Sequence, residues 1–220
     1  MEQLANRQTP MSRAEIGEQR RARMRERLLA ASARVLAERG PEKVTIDDFI
    51  AAAEVSRGTF YNHFSTREAL LEALWTTFGH DPFAEILAVC KTISDPVEHL
   101  SAVTRLVLRQ AASYPTWGWL VVALSAERAT VNDDLRAYPV PDLLAGEAAG
   151  LFHYDDLSCA ADVVVGTARS GLQAILREGR APHYAEAMSK MLLLALGVTS
   201  SEAHRVSHLT ILASPASNGR

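Results

Sequence analysis

Apolar positions recur three and four apart along nearly the whole chain, the spacing of helices that bury one face. Leu28, Leu29, Ala30, Ala31 and Leu36 begin the pattern, and Gly40 stops it. Ile46, Phe49 and Ile50 predict a short helix to about Ala53, with Thr45 as N-cap and Asp48 completing a capping-box-like pair. Ser56 caps a second helix in which Phe60 and Phe64 share the inward face. Thr66 caps a third, with Arg67 and Glu68 in its first turn. Leu70, Leu71, Leu74, Trp75 and Phe78 continue that helix, and Gly79 to Pro82 is expected to end it.

Beyond this point the helical period persists. Phe83, Ile86, Leu87, Cys90 and Ile93 form one stripe, stopped near Ser94-Asp95-Pro96. Val97, Leu100, Val103, Val107 and Ala111 form the next, up to Tyr114-Pro115, and Trp117, Leu120, Val121 and Leu124 a third. Pro139 and Pro141 break the chain before a short helix over Leu143 to Phe152. The run Val163-Val164-Val165 favours strand by propensity but sits inside a long helical pattern, so it reads as buried helix. The last two long helices carry seams: Ala161, Val164, Ala168, Gly171 and Ile175 on one, and Tyr184, Ala187, Met191, Leu194 and Val198 on the other. Two such helices from each of two chains would make a four-helix interface; the alternative is that both seams face the chain's own core. The fold class is all-α.

Composition narrows the function classes. The 220 residues can bury a real core, no apolar run approaches the length of a membrane span, and the start lacks a signal-peptide core, so a cytoplasmic protein is expected. Cys90 and Cys159 are far apart and in no metal spacing, and neither metal nor cofactor is expected. The net charge of -3 is unevenly placed: residues 1 to 75 carry 12 basic and 11 acidic side chains, and the remainder 11 and 15. Arg20, Arg21, Arg23, Arg25 and Arg27 stand against Glu26 alone, a basic segment able to follow a phosphate backbone, or else a solubilising arm.

The segment from residue 44 to 67 supplies the chemistry. Two helices joined by a turn of about four residues match a helix-turn-helix. The outer face of its second helix carries Gly58, Thr59, Tyr61 and Asn62, with Arg57 in the first turn and His63 at the edge. Arg can grip guanine with two hydrogen bonds, Asn can do the same for adenine, and Thr can offer a methyl to thymine. Lys43, Tyr61, His63 and Arg67 suit phosphate, and the helix N-termini at Thr45 and Ser56 could present backbone N–H groups. A small packing unit with a solvated polar face would account for Phe60 and Phe64 equally well.

The surrounding residues tilt that balance. Leu28 to Ala31, Leu36, Gly40, Thr45, Ala53, Val55, Ser56, Gly58 to Tyr61, His63, Phe64, Thr66 to Glu68 and Leu70 resemble the tetracycline-repressor (TetR) family pattern T..IA..AGVS.GT.Y.HF.SKE.L over roughly a quarter of the chain. Three departures stand out: Phe49-Ile50 for Ile-Ala, Glu54 where the turn usually has Gly, and Arg67 for Lys. The resemblance implies a flexible arm over 1–19, a three-helix DNA-binding domain over 20–79, a ligand-binding and dimerisation domain over 80–198, and a tail over 199–220. It further implies a homodimer on a palindromic double-stranded operator, with repression as the default, and a small-molecule effector. Phe83, Leu87, Cys90, Tyr114, Trp117, Trp119, Leu120 and Leu124 are the candidate lining, suited to a hydrophobic or planar ligand. Arg169, a long cation in an apolar helix, could meet an anionic ligand, cross the dimer interface or pair with an acid such as Glu127.

Two other classes stay open. One is a DNA-binding architectural protein without an effector. An enzyme is the other, although no phosphate loop, GxSxG or HExxH is present, and His204 and His208 are a lone pair four residues apart.

Overall fold

The computed structural model describes residues 12–126, 135 and 137–211, and every regular element among them is helical. Helix α1 (Arg13–Arg39) starts at a reciprocal capping box between Ser12 and Glu15, two turns before the expected arm ends. The flexible-arm expectation is therefore corrected for residues 12–19; the earlier part of the arm lies outside the described residues. The arginine run stands exposed on the first half of α1, and burial begins at Leu28.

After α1, a single 3-10 turn (Pro41–Lys43) leads to α2 (Ile46–Ala53), α3 (Arg57–His63) and α4 (Arg67–Leu74). These are the helices expected, on the caps expected: Thr45 with Asp48, Ser56 with Thr59, and Thr66 with Ala69. The stop expected at Gly79 to Pro82 does not occur. A π-turn over Trp75–Gly79 carries the chain straight into α5 (His80–Cys90), with the His80 N–H donating to the Trp75 carbonyl. Pro82 falls in the first turn of α5, where its missing N–H matters least. The Trp75 ring lies directly on the backbone of Gly79, where a Cβ would come within 2.1 Å of it.

The body continues with α6 (Pro96–Ser113), α7 (Pro115–Ala126), α8 (Val140–Ala148), α9 (Leu157–Glu178), α10 (Tyr184–Ala195) and α11 (Ser200–Ser207). Helix α8 begins before Leu143 because Pro141 occupies its first turn, a position proline favours, and it ends before Phe152. Helix α9 runs through Val163-Val164-Val165, of which only Val164 is buried. Part of the expected tail is ordered: Thr199 caps α11, and Arg105, buried in α6, donates to the Leu209 carbonyl at 2.7 Å.

Three apolar clusters hold the chain together. One unites α1 to α4 with Leu120, Ala123 and Leu124 of α7; a second joins α5, α6 and α7; a third joins α8, α9, α10 and α11 to the start of α6. Between head and body, Trp119 packs on Gly40, a position with φ of 73°, while Gln173 and Arg177 both bind Glu42. Gly79→Ala should force the Trp75 ring aside and cost about 1–3 kcal/mol, the usual range for overpacking, read as a lower urea midpoint.

Candidate DNA-reading face and effector cavity

In the helix-turn-helix, local hydrogen bonds fix the frame. Thr45 N–H donates to Asp48 at 2.8 Å and Arg39 binds the same carboxylate at 2.8 Å; the Thr45 backbone bond chiefly holds that carboxyl below its ordinary range. Phe60 and Phe64 are buried with ring centroids 6.0 Å apart. Glu54 adopts φ 52° and ψ 48°, the left-handed conformation, at a cost of about 1 kcal/mol for a side-chain-bearing residue. Its carboxylate pairs with Arg27 of α1 at 3.1 Å, so the charge near the reading face is partly neutralised.

On the opposite face Arg57, Gly58, Tyr61 and Asn62 are exposed, Thr59 and His63 half-buried, and Lys43 and Thr45 exposed nearby. Arg57 is paired with Asp47 of α2, a partner that sequence spacing did not suggest. A Cβ at Gly58 would meet nothing closer than Ser56 Oγ at 3.8 Å, so no contact among the described residues requires a glycine there. Within a helix a glycine costs about 1 kcal/mol relative to alanine. Tyr61 meets Phe60 edge-on, at 5.5 Å and 87°. Burial, with Arg25 and Arg21 close by, pushes the His63 pKa down, so its ring is neutral near pH 7 rather than the cation a phosphate would favour.

Arg67 departs from expectation. Its guanidinium donates to the Val44 and Pro41 carbonyls and lies over Phe49 at 5.9 Å, so it ties the loop before α2 to α4 rather than standing free for phosphate. Backbone carbonyls offer no sequence signature, which is why the spacing missed them. Conversely Arg25, seen only as part of a basic run, sits over the Phe64 ring at 4.6 Å, placing positive charge beside α3.

A partly open cavity of about 70 Å³ lies among α5, α6, α7 and α9. Its wall is almost wholly hydrocarbon, from Phe83, Leu100, Val103, Val107, Val121, Val164, Val165 and Ala168. Thr104, Ser125, Tyr138 and Arg169 add polar groups. Thr104 and Ser125 already donate to backbone carbonyls. The Tyr138 hydroxyl and Arg169 Nε are buried with no hydrogen-bond partner among the described residues, at about 1–3 kcal/mol each. Burial, then the nearby Asp142, pushes the Tyr138 hydroxyl pKa up, so it stays protonated and able to donate. Glu127, considered as a partner for Arg169, lies outside the described residues.

Of the nine residues expected to line an effector site, Phe83 and Arg169 border this cavity. Leu87 faces an outer recess instead, and Cys90 is wholly buried in the core, its thiol pushed up to about 11 mainly by burial. Tyr114 is exposed beside α1. Trp117 donates to the Gly79 carbonyl at 3.1 Å, Trp119 packs between Gly40 and Arg177, and Leu120 and Leu124 belong to the core of the reading head. Every residue of α7 from Trp117 to Leu124 is buried, so its stripe could not say which face meets a ligand.

Comparison with known proteins fits both halves. Residues 28–74 match the family described as bacterial regulatory proteins, tetR family, and residues 95–209 match the tetracyclin repressor-like C-terminal domain. The chain belongs to the TetR family. It is a DNA-binding transcriptional regulator, and the relatives it matches are regulators rather than enzymes. The HTH-type transcriptional repressor DhaR of Mycobacterium sp. (strain GP1) is 34% identical over 122 residues, 53% of this chain and 58% of DhaR. KstR2, a repressor of Mycolicibacterium smegmatis, is 28% identical over 82 residues, 37% of this chain and 40% of that one. The matched stretches thus span less than two thirds of these curated relatives. Among solved structures, RolR in complex with the ligand resorcinol superposes with a TM-score of 0.66 at 26% identity, covering 90% of this chain and 99% of that one. The fatty acid degradation regulator FadR of Bacillus halodurans shares the fold, with a TM-score of 0.58 at 19% identity over 79% of this chain and 97% of its own.

The interface expected of a TetR-family dimer needs one correction. Ala161, Val164 and Gly171 of α9 are buried in the chain's own core, with Ala168 and Ile175 half-buried on the same side. A Cβ at Gly171 would stand 2.8 Å from Leu108, so the small residues let α9 approach α6 rather than a partner. The outward face of α9 carries Cys159, Val163, Gly166 and Ser170 instead. On α10, Ala187 and Met191 are exposed while Tyr184 and Leu194 are half-buried. His204 and His208 stack at 4.4 Å, and among the described residues no group of three or more metal-ligating side chains converges.

His63 gives this head a pH signature. Because its folded pKa lies below the ordinary 6.5, it adds stability that is present above that value and lost as pH falls through and below it. Urea unfolding at about pH 7.5 and about pH 5.5 should show the wild type losing more stability than His63→Gln; equal losses would remove His63 from the account.

Proposed function

We propose that the protein is a cytoplasmic, ligand-responsive repressor that binds a palindromic operator as a homodimer and is released by a small aromatic effector. The observation that carries this reading is the placement of α7. One side of it, Leu120, Ala123 and Leu124, completes the core of the reading head, and another, Val121 and Ser125, lines the cavity. Occupancy of the cavity and posture of the head therefore share one helix, the physical requirement for coupling of about 1–3 kcal/mol between ligand and DNA.

At the DNA, Arg57, Thr59 and Asn62 serve as base readers, while Lys43, Tyr61, His63 and the N-terminus of α2 at Thr45 position the phosphates. Gly58 allows the backbone of α3 to approach the groove, which accounts for a glycine no protein contact requires. The outward faces of α9 and α10 form the twofold interface, as a single helix-turn-helix reads only a half-site. Apolar walls with a few polar groups match the chemistry of a phenolic ring, though not at the cavity's present volume, and the resorcinol bound by RolR supports that class. A mobility shift against DNA upstream of the chain's own gene, with and without phenolic compounds, tests the reading; an operator complex indifferent to every compound would favour the architectural alternative.

Two outcomes follow for variants. Arg57→Ala and Asn62→Ala should each cost about 1–3 kcal/mol at the operator while leaving non-specific DNA nearly unchanged, as measured by competition titrations. Met191→Lys places a charge on the most exposed large apolar residue of α10, at 63% exposure, and should shift sedimentation from dimer to monomer at micromolar concentration.

A further inference from the structure

Next to the cavity lies an outer recess of about 500 Å³, bounded by Trp75, His80, His99 and Asp142, with His99 and Asp142 in contact at 2.7 Å. Cavity and recess share Phe83, Leu135 and Tyr138. Phe83 and Tyr138 stand edge to face, centroids 5.3 Å apart at 76°, as a partition between the two spaces. The cavity alone is too small for a ring, since a cavity of about 150 Å³ is the size known to take benzene. No hydrogen bond holds the Tyr138 hydroxyl in place among the described residues.

Phe83 also touches Trp75, at 6.1 Å between centroids. Trp75 opens the π-turn and packs against both the core of the reading head and that of the body. Its ring covers Gly79, whose carbonyl accepts from Trp117. A π-turn within an α-helical run is a place where hydrogen-bond register can slip, and such turns often mark functional joints.

We infer that cavity and recess are two halves of one effector site, with Tyr138 as its gate: a single aromatic ring bearing a hydroxyl displaces the Tyr138 ring and bonds its hydroxyl, and Phe83, moving with it, presses Trp75 against the π-turn and resets α4. This rests on the reading of the cavity as the effector site. Tyr138 selects for the hydroxyl, and Phe83 transmits occupancy to the reading head.

The test uses the full chain labelled with 5-fluorotryptophan, whose three tryptophans give three fluorine resonances, assigned with Trp75→Phe. Phenol and toluene serve as probes, followed by calorimetry. Phenol should shift the Trp75 resonance saturably, and Tyr138→Phe should weaken phenol about three- to tenfold, the worth of one hydrogen bond, while leaving toluene unchanged. Phe83→Leu should bind phenol within about threefold of wild type yet leave the Trp75 resonance unmoved. The gate is overturned if Tyr138→Phe weakens both probes alike, if Phe83→Leu transmits like wild type, or if neither probe binds. Operator release by an unrelated compound, with neither probe binding, removes the gate and leaves the effector reading intact. Phenol binding with the Trp75 shift, but operator affinity indifferent to every compound, removes the effector reading and keeps the gate.

Discussion

The burial of α7 within the reading head is the constraint on which the rest of the molecule depends. Leu120, Ala123 and Leu124 lie in the same cluster as Leu28, Phe49, Phe60 and Leu70, so the head does not close its own core. Without α7, that apolar surface would face water, and burying a large aliphatic side chain is worth about 1.5–3 kcal/mol. A second set of contacts, Trp119 on Gly40 and Arg177 with Gln173 on Glu42, clasps the end of α1 to the body. Head and body are thus one packed object, and a displacement of α7 reaches the DNA-facing helices through close packing rather than through a flexible linker.

This arrangement explains why the pattern of α7 does not reveal which of its residues border the cavity. A helix with one wet side announces its buried face by periodicity, but α7 is surrounded on all sides, and its residues divide between two cores and a cavity by position alone. Helix α9 misleads for a related reason. Small residues at helical spacing signal close approach but not to what, and here the close neighbour is α6 of the same chain.

What could be read from sequence was what local chemistry decides. The caps at Thr45, Ser56 and Thr66 act over three residues, so residue type and spacing suffice to place them. Glu54 was suspect because a position that usually carries glycine is one where the backbone turns left-handed, and it does. Partners distant in sequence were not legible. Arg67 finds carbonyls 23 and 26 residues away, and Arg27 finds Glu54 across 27 residues, through packing that no short pattern encodes. The π-turn also escaped notice, because Gly79 and Pro82 are ordinary stop signals and only the Trp75 ring laid over Gly79 shows why the helix continues.

Asp47 holds Arg57 before any nucleic acid arrives. Its carboxylate offers that guanidinium much the same partner as a DNA phosphate, so random sequence gains little by replacing it. Only a base edge that satisfies the guanidinium in two places at once offers more than Asp47 does. With Arg57 as the base reader proposed above, the ion pair would compete with irrelevant DNA for that guanidinium more than with the operator.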